Sequence, residues 1–291
     1  MLLSNQPPAS KQASFEVYRY QLVVDKMLQQ GMFQDYQTAD EIRNNKNKIL
    51  QDILTNIHFR FHSSQSEITS KLLYSAGTMS YYKIGVRRKT KVYKIDFSED
   101  VIENYPNIIV AINNDPNVQK VAIQVNQTAF QDSKIASHIV QKSITAKLKH
   151  SNLSFIIEPL FDEKEFWKLI EQYPKQIRQV NFDLISPNLA KISKNLKVDL
   201  KQLYNETNTQ RTKIELNAEP ESYLEIKKES EFVNSLVEYS ADGGGNISLK
   251  VNGIRKKIQT AQSAKEFSVE EVLLKGNDWD KLNDMFKDIL I

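Results

Sequence analysis

The sequence predicts an α+β protein of mixed, mostly antiparallel sheets with packed helices, arranged in two lobes. Three observations carry this expectation. Period-two and 3.6-residue hydrophobic patterns alternate along the chain without the strict rhythm of βαβ units. Hairpin signals recur, as at Asn114-Asp115-Pro116-Asn117 and Asn252-Gly253. The strand–helix–strand rhythm starts afresh after Asn107, which sets a boundary near residues 98–107. The expected organisation is a disordered tail at 1–13, an N-terminal lobe at 14–98 and a C-terminal domain at 99–291.

Composition narrows the class. A chain of 291 residues, 40% hydrophobic and 26% charged, reads as a globular protein with enough length for one large or two ordinary domains. No apolar run approaches the ~18 residues of a membrane span. Met1-Leu2-Leu3-Ser4 lacks the basic and apolar regions of a signal peptide, and cysteine is absent; both fit a cytoplasmic protein. The absence of cysteine also removes disulfides, thiolate nucleophiles and thiolate metal sites. The net charge of +3 is small, so the distribution of charge matters more than its sum.

Taken in order, Phe15 to Val24 alternates and is rich in β-formers, a strand. Thr38-Ala39-Asp40-Glu41 is a capping box, and the helix after it, to about Ile57, puts Ile42, Ile49, Leu50, Ile53, Leu54 and Ile57 on one stripe. His58 to His62 reads as a strand. Residues 67–74 and 80–96 read as strands joined at Ala76-Gly77. Asn107–Ile112 and Val121–Val125 form a hairpin across the Asn-Asp-Pro-Asn turn. Ser133 to His150 is a helix with Ile135, Ile139, Val140, Ile144 and Leu148 inward. Strand Leu153–Glu158, helix Asp162–Tyr173 and strand Gln176–Ile185 follow. A helix from Ser186-Pro187 to about Tyr204 is next, since serine at N-cap and proline at N1 start helices well. Strand Thr212–Leu216, helix Pro220–Tyr239, a hairpin across Asn252-Gly253, strand Ser268–Lys275 and helix Asp278–Ile291 complete the chain.

Charge is segregated. Lys83, Arg87, Arg88, Lys89, Lys91 and Lys94 lie between Tyr82 and Ile95 with no acidic residue among them, and Asp96, Glu99, Asp100 and Glu103 follow at once. Between Asp242 and Glu266 there are five basic residues, Lys250, Arg255, Lys256 and Lys257 among them, and no acidic one. Clustered cations reward a polyanion because each neutralised phosphate releases counterions. Tyr81, Tyr82 and Tyr93 beside the first cluster add phosphate or stacking partners. Lysines on an edge strand also serve to prevent strand-to-strand aggregation. The expectation is that Lys83, Arg87, Arg88, Lys89, Lys91, Lys250, Arg255, Lys256 and Lys257 contact phosphates, two basic ribbons converging on one backbone.

Catalytic signals are sparse. Gly243-Gly244-Gly245 follows a helix and precedes a strand, the reverse of a P-loop, and has no Gly-Lys-Ser/Thr ending. His58, His62, His138 and His150 show no metal-ligand spacing, so no metal or other cofactor is expected. No Gly-x-Ser-x-Gly element is present. The enzymatic alternative is a Mg²⁺-dependent nuclease built from Glu215, Glu219, Glu225 and Lys227, although Glu225-Ile226-Lys227 falls in an expected helix where such elements use a strand. An interaction module for an acidic protein is the third alternative.

Phe155-Ile156-Ile157-Glu158-Pro159-Leu160-Phe161, with the Val180–Leu184 strand and the leucine-rich helix after it, resembles the middle of the RexA phage-exclusion family. Asn246-Ile247-Ser248-Leu249-Lys250 resembles a strand of that family written Asp-Ile-Ser-Leu-Arg. The similarity spans roughly residues 107–275. It implies an anti-phage defence protein acting by phage exclusion or abortive infection. Such a protein would bind double-stranded DNA without sequence preference, as a homodimer, and signal to a membrane-protein partner encoded nearby. The KwaB defence component is a similar two-part case.

Overall fold

The computed structural model describes residues 11–24, 38–60, 67–186, 196, 199–207, 209–260, 264–276 and 278–291. The chain begins β1 (Gln12–Val24), α1 (Ala39–Leu54), β2 (Ile68–Ala76), β3 (Met79–Val86), β4 (Arg88–Tyr93), β5 (Glu99–Asn104), β6 (Asn107–Asn113) and β7 (Lys120–Gln124). It continues α2 (Ser133–Leu148), β8 (Leu153–Pro159), α3 (Glu163–Gln172), β9 (Ile177–Ile185), α4 (Leu200–Thr207) and β10 (Arg211–Asn217). It ends α5 (Glu231–Tyr239), β11 (Gly245–Val251), β12 (Ile258–Gln259), β13 (Glu266–Glu270), α6 (Glu271–Lys275) and α7 (Trp279–Leu290). The pairings are antiparallel throughout, so the fold is α+β as expected.

β1 is the strand on which the rest assembles. One edge pairs with β7; the other pairs first with β13 and then with β8. The resulting seven-stranded sheet runs β13-β1-β7-β6-β3-β2, with β8 beside β1. Strands from both sides of residue 98 therefore interleave in one sheet, and the expected lobes at 14–98 and 99–291 are not how the sheets divide. The reason lies in the composition of β1. It is buried on both faces along nearly all its length, so it needs a neighbour on each edge and cover on each side. The second sheet, β10-β9-β11-β12, comes wholly from residues 177–259. The expected disorder at 1–13 also ends early, because Gln12 and Ala13 already pair with Glu270 and Val269; residues 1–10 lie outside the described ones.

Side-chain alternation in β1 decides which layer covers it. Tyr18, Tyr20, Leu22 and Val24 join the core under α1 and α2. Ala13, Phe15 and Val17 join the core under α7, with Tyr81, Phe286 and Leu290. Val23, farther along that second face, meets Ile156 and Ile185 where the two sheets close. α1 starts at Thr38, whose hydroxyl accepts from Glu41 N while Thr38 N donates to the Glu41 carboxylate, the expected capping box. On α2 the expected stripe holds except for Ile135, which is 38% exposed.

Other expectations shift. Residues 58–60 form no strand, and His62 lies outside the described residues. The strand expected at 80–96 breaks at Arg87, so β4 leaves the sheet and pairs with β5 as a separate two-stranded arm. Of the helix expected at 186–204, residues 187–195 lie outside the described ones, and α4 begins at Leu200. The helix expected at 220–239 begins only at Glu231, with Ser230 as its cap. Leu224 N bonds Ile177 O instead, laying residues 220–230 against the start of β9. Of the strand expected at 268–275, the second half is α6.

Candidate nucleic-acid interface

The first basic cluster folds onto its own counter-charges. In the β4–β5 arm, Lys89 faces Glu103 and Tyr93 faces Glu99 across the pair. Arg87 is paired with both Glu103 and Glu67, which raise its pKa, and its guanidinium in turn holds the Glu103 carboxyl below its ordinary value. Lys91 Nζ is 2.7 Å from Glu99, and Lys94 Nζ is 3.1 Å from Asp100. Arg88 donates to Ala129 O at 2.9 Å. Lys83 stays on β3, exposed, and shares a depression with Gln124, Glu271 and Lys275. The sign change at residue 96 is thus a hairpin turn, and the acidic run is the partner strand.

The second cluster is different. Lys250 is exposed on β11, and Arg255, Lys256 and Lys257 are exposed in the loop from Asn252 to Lys257. Among the described residues none of the four takes part in an ion pair. The three loop cations do not lie on the second strand of a tight hairpin, as the sequence leads one to expect. Ile254 N does close a turn on Val251 O, but positive φ occurs at Gly253 and not at Asn252. That pattern is a type II turn, whose twist splays the strands, so pairing resumes only at Ile258–Gln259.

The two clusters sit on different sheets. β4 and β5 pair with each other and with no strand of the four-stranded sheet. From β3, where the arm leaves, the path of paired strands crosses β6, β7 and β1 before it reaches the seam with β9 and β11. The second cluster is thus an open basic loop on one sheet, and the first an arm beside the other sheet in which Arg87, Lys91 and Lys94 are ion-paired.

Beside the loop lies a surface that sequence reasoning missed. β9 buries Val180, Phe182 and Leu184 and turns Gln179, Asn181 and Asp183 outward; β11 buries Ile247, Leu249 and Val251 and turns out Asn246, Ser248 and Lys250. Asn246 lies opposite Asp183 and Ser248 opposite Asn181, so these side chains share one face. Lys213 adds a cation from β10 opposite Asp183. The Oδ1 atoms of Asn181, Asp183 and Asn246 are buried without a hydrogen-bond partner among the described residues. The period-two alternation of polar residues in both strands was the available signal.

At its β1 end this face closes on the first sheet. Arg211 bridges Glu158 at 2.8 Å and Asp183 at 3.4 Å. Burial pushes the Glu158 carboxyl up, and Arg211 pulls it back. Gln21 Nε2 donates to Gly243 O at 3.4 Å, and Arg19 lies under the same glycine. Gly243, Gly244 and Gly245 are all buried, so this run closes the seam and offers no open cradle for a phosphate.

Of the nuclease alternative, Glu215, Glu225 and Lys227 line one groove, which four aliphatic side chains share and whose lining does not include Glu219. Among the described residues no three His, Asp or Glu side chains are placed to hold a metal ion. No helix among them is long and apolar enough to cross a membrane.

No protein-family profile, curated protein or solved structure matches this chain.

Proposed function

We propose that this is a non-catalytic protein that binds double-stranded DNA along its backbone, without sequence preference, and serves anti-phage defence in the cytoplasm. The observation that carries the reading is the set Lys250, Arg255, Lys256 and Lys257, exposed and free of internal ion pairs among the described residues, at the end of a polar sheet face. Exposed cations without partners gain the full counterion-release benefit when they meet phosphates. Cations already matched to carboxylates, like Arg87, Lys91 and Lys94, gain less. The defence role rests on the RexA and KwaB resemblance, which also implies a membrane partner encoded nearby.

The test is a titration of a random-sequence duplex at two salt concentrations. Reversing Arg255, Lys256 and Lys257 to glutamate weakens binding equally for unrelated sequences. The slope of log K against log salt becomes shallower by about 0.9 for each phosphate that is no longer neutralised. Unchanged affinity in the triple variant overturns the assignment of this loop. Plasmid cutting with Mg²⁺ that vanishes in Glu225→Ala overturns the non-catalytic reading.

A further inference from the structure

β10 is the outermost strand of the four-stranded sheet, and its pairing with β9 fixes which backbone groups face the open edge. Ser186 N donates to Gln210 O and Ala218 N donates to Arg178 O, so the even-numbered residues between them turn toward β9. Arg211, Lys213, Glu215 and Asn217 therefore turn their N–H and C=O groups outward. Among the described residues none of these groups has a partner.

A long regular edge is a template for another strand, and sheets usually blunt it. β12 has 2 residues, β13 has 5, and β2 is bulged between Leu72 and Tyr74. β10 runs for 7 residues in unbroken register and contains no proline. The free edges of the β4–β5 arm are a poorer template, because a two-stranded ribbon twists strongly. The arm also turns at its tip through Phe97 at φ 62°, where Asp96 accepts from Ser98 N and Ser98 Oγ.

Beside the Leu216 end of β10 lies a groove of about 510 Å³, lined by Leu216, Leu224, Ile226 and Val233. Leu216, Leu224 and Ile226 remain partly exposed there. We propose that an extended segment of another protein adds to β10 as a fifth antiparallel strand and lowers an apolar side chain into this groove. Main-chain bonds supply affinity in such a union, and alternate side chains supply selectivity. Directly opposed side chains share a face, so β10 specifies its partner's chemistry. Leu216 and Ile214 call for apolar residues, and Glu215 calls for a basic one. Lys213 is exposed and in no ion pair among the described residues, so it calls for an acidic one. Read along the partner, the order is apolar, basic, apolar, acidic.

A second copy of β10 fits this edge less well. The registers that pair most of the strand with itself are centred on Lys213, Ile214 or Glu215. The first and last set like charges directly opposite each other, which is destabilising. The middle one sets Thr212 beside Leu216, and threonine is too small and too polar to fill the groove.

Fluorescence anisotropy of the full chain with a labelled peptide containing Val-Lys-Val-Glu-Val tests this. Binding saturates with Kd below about 1 mM, and the peptide slows amide exchange at Lys213 and Glu215. The same peptide N-methylated at its Lys and Glu, which lie opposite Glu215 and Lys213, binds about tenfold more weakly or worse. Glu215→Pro has the same effect from the protein's side. Proline there removes an N–H that β9 does not use, so the melting temperature holds and lost binding is not lost fold. Lys213→Glu weakens binding severalfold, and a peptide with Lys in place of its Glu recovers part of it. No saturation by about 1 mM, or equal binding by the N-methylated peptide, overturns the proposal. So does slowed exchange at Lys213 and Glu215 that grows with protein concentration and needs no peptide, since that assigns the edge to a second copy.

Discussion

Gly245 opens β11 where the two sheets meet, and a Cβ built there would stand 2.3 Å from Asp183 O. Its φ is 165°, extended backbone that any residue adopts, so the requirement for glycine is steric. The obstacle is main chain in a paired strand and cannot swing aside. Gly245→Ala should therefore cost about 1–3 kcal/mol, the usual penalty of overpacking, and thermal melting should register it as a fall of roughly 2–5 °C. Phe97 presents the opposite case. Its Cβ has all the space it needs, but a left-handed backbone costs a non-glycine residue about 1–2 kcal/mol. Phe97→Gly should leave the melting temperature unchanged or raise it, because the ring it removes is 86% exposed. A clear fall in stability would mean that the ring contributes to the arm's own fold.

Two elements show what residue order can and cannot reveal. α1 was legible because its start is local chemistry, a hydroxyl and a carboxylate three residues apart, and its stripe is buried at Ile42, Ile49, Leu50 and Leu54. Thr38→Ala should cost about 1 kcal/mol by freeing the Glu41 amide from its partner, measurable in a denaturant titration. β5 was not legible, because all six of its residues are exposed and no apolar alternation marks it. Its register is written in charge, with Glu103 directly opposite Lys89 and Glu99 reaching Lys91 on the diagonal. The segment 220–230 defies expectation for a related reason. Its glutamates and lysines favour helix locally, but Leu224 is claimed by the edge of β9, and tertiary pairing overrode propensity. The charge-written arm should respond to acid. Asp96 and Glu103 both titrate below their ordinary values, so the order they confer is complete above about the normal carboxylate range. It is lost as pH falls through the lowered values. Amide exchange at Lys94 and Ser98 should accelerate there before the seven-stranded sheet opens.

Over the whole molecule, the site was legible in its residue types and not in its arrangement. Lys250, Arg255, Lys256 and Lys257 could be picked out as a cation run, but which cations have carboxylate neighbours depends on β4–β5 pairing and sheet order. Asn181 and Asn246 are 65 positions apart in the numbering, and only the β9–β11 register brings them onto one face. β1 has the same dependence on distance. Gln12 finds its partner at Glu270, and Phe15 stacks on Phe267 and meets Phe286 edge-on. On a ribosome, β1 must therefore wait for residues about 250 positions later in the chain before its outer edge is sealed. A ribosome stalled before codon 266 would hold a long apolar ribbon with half an edge open, a species that chaperones bind and that aggregates when they are scarce.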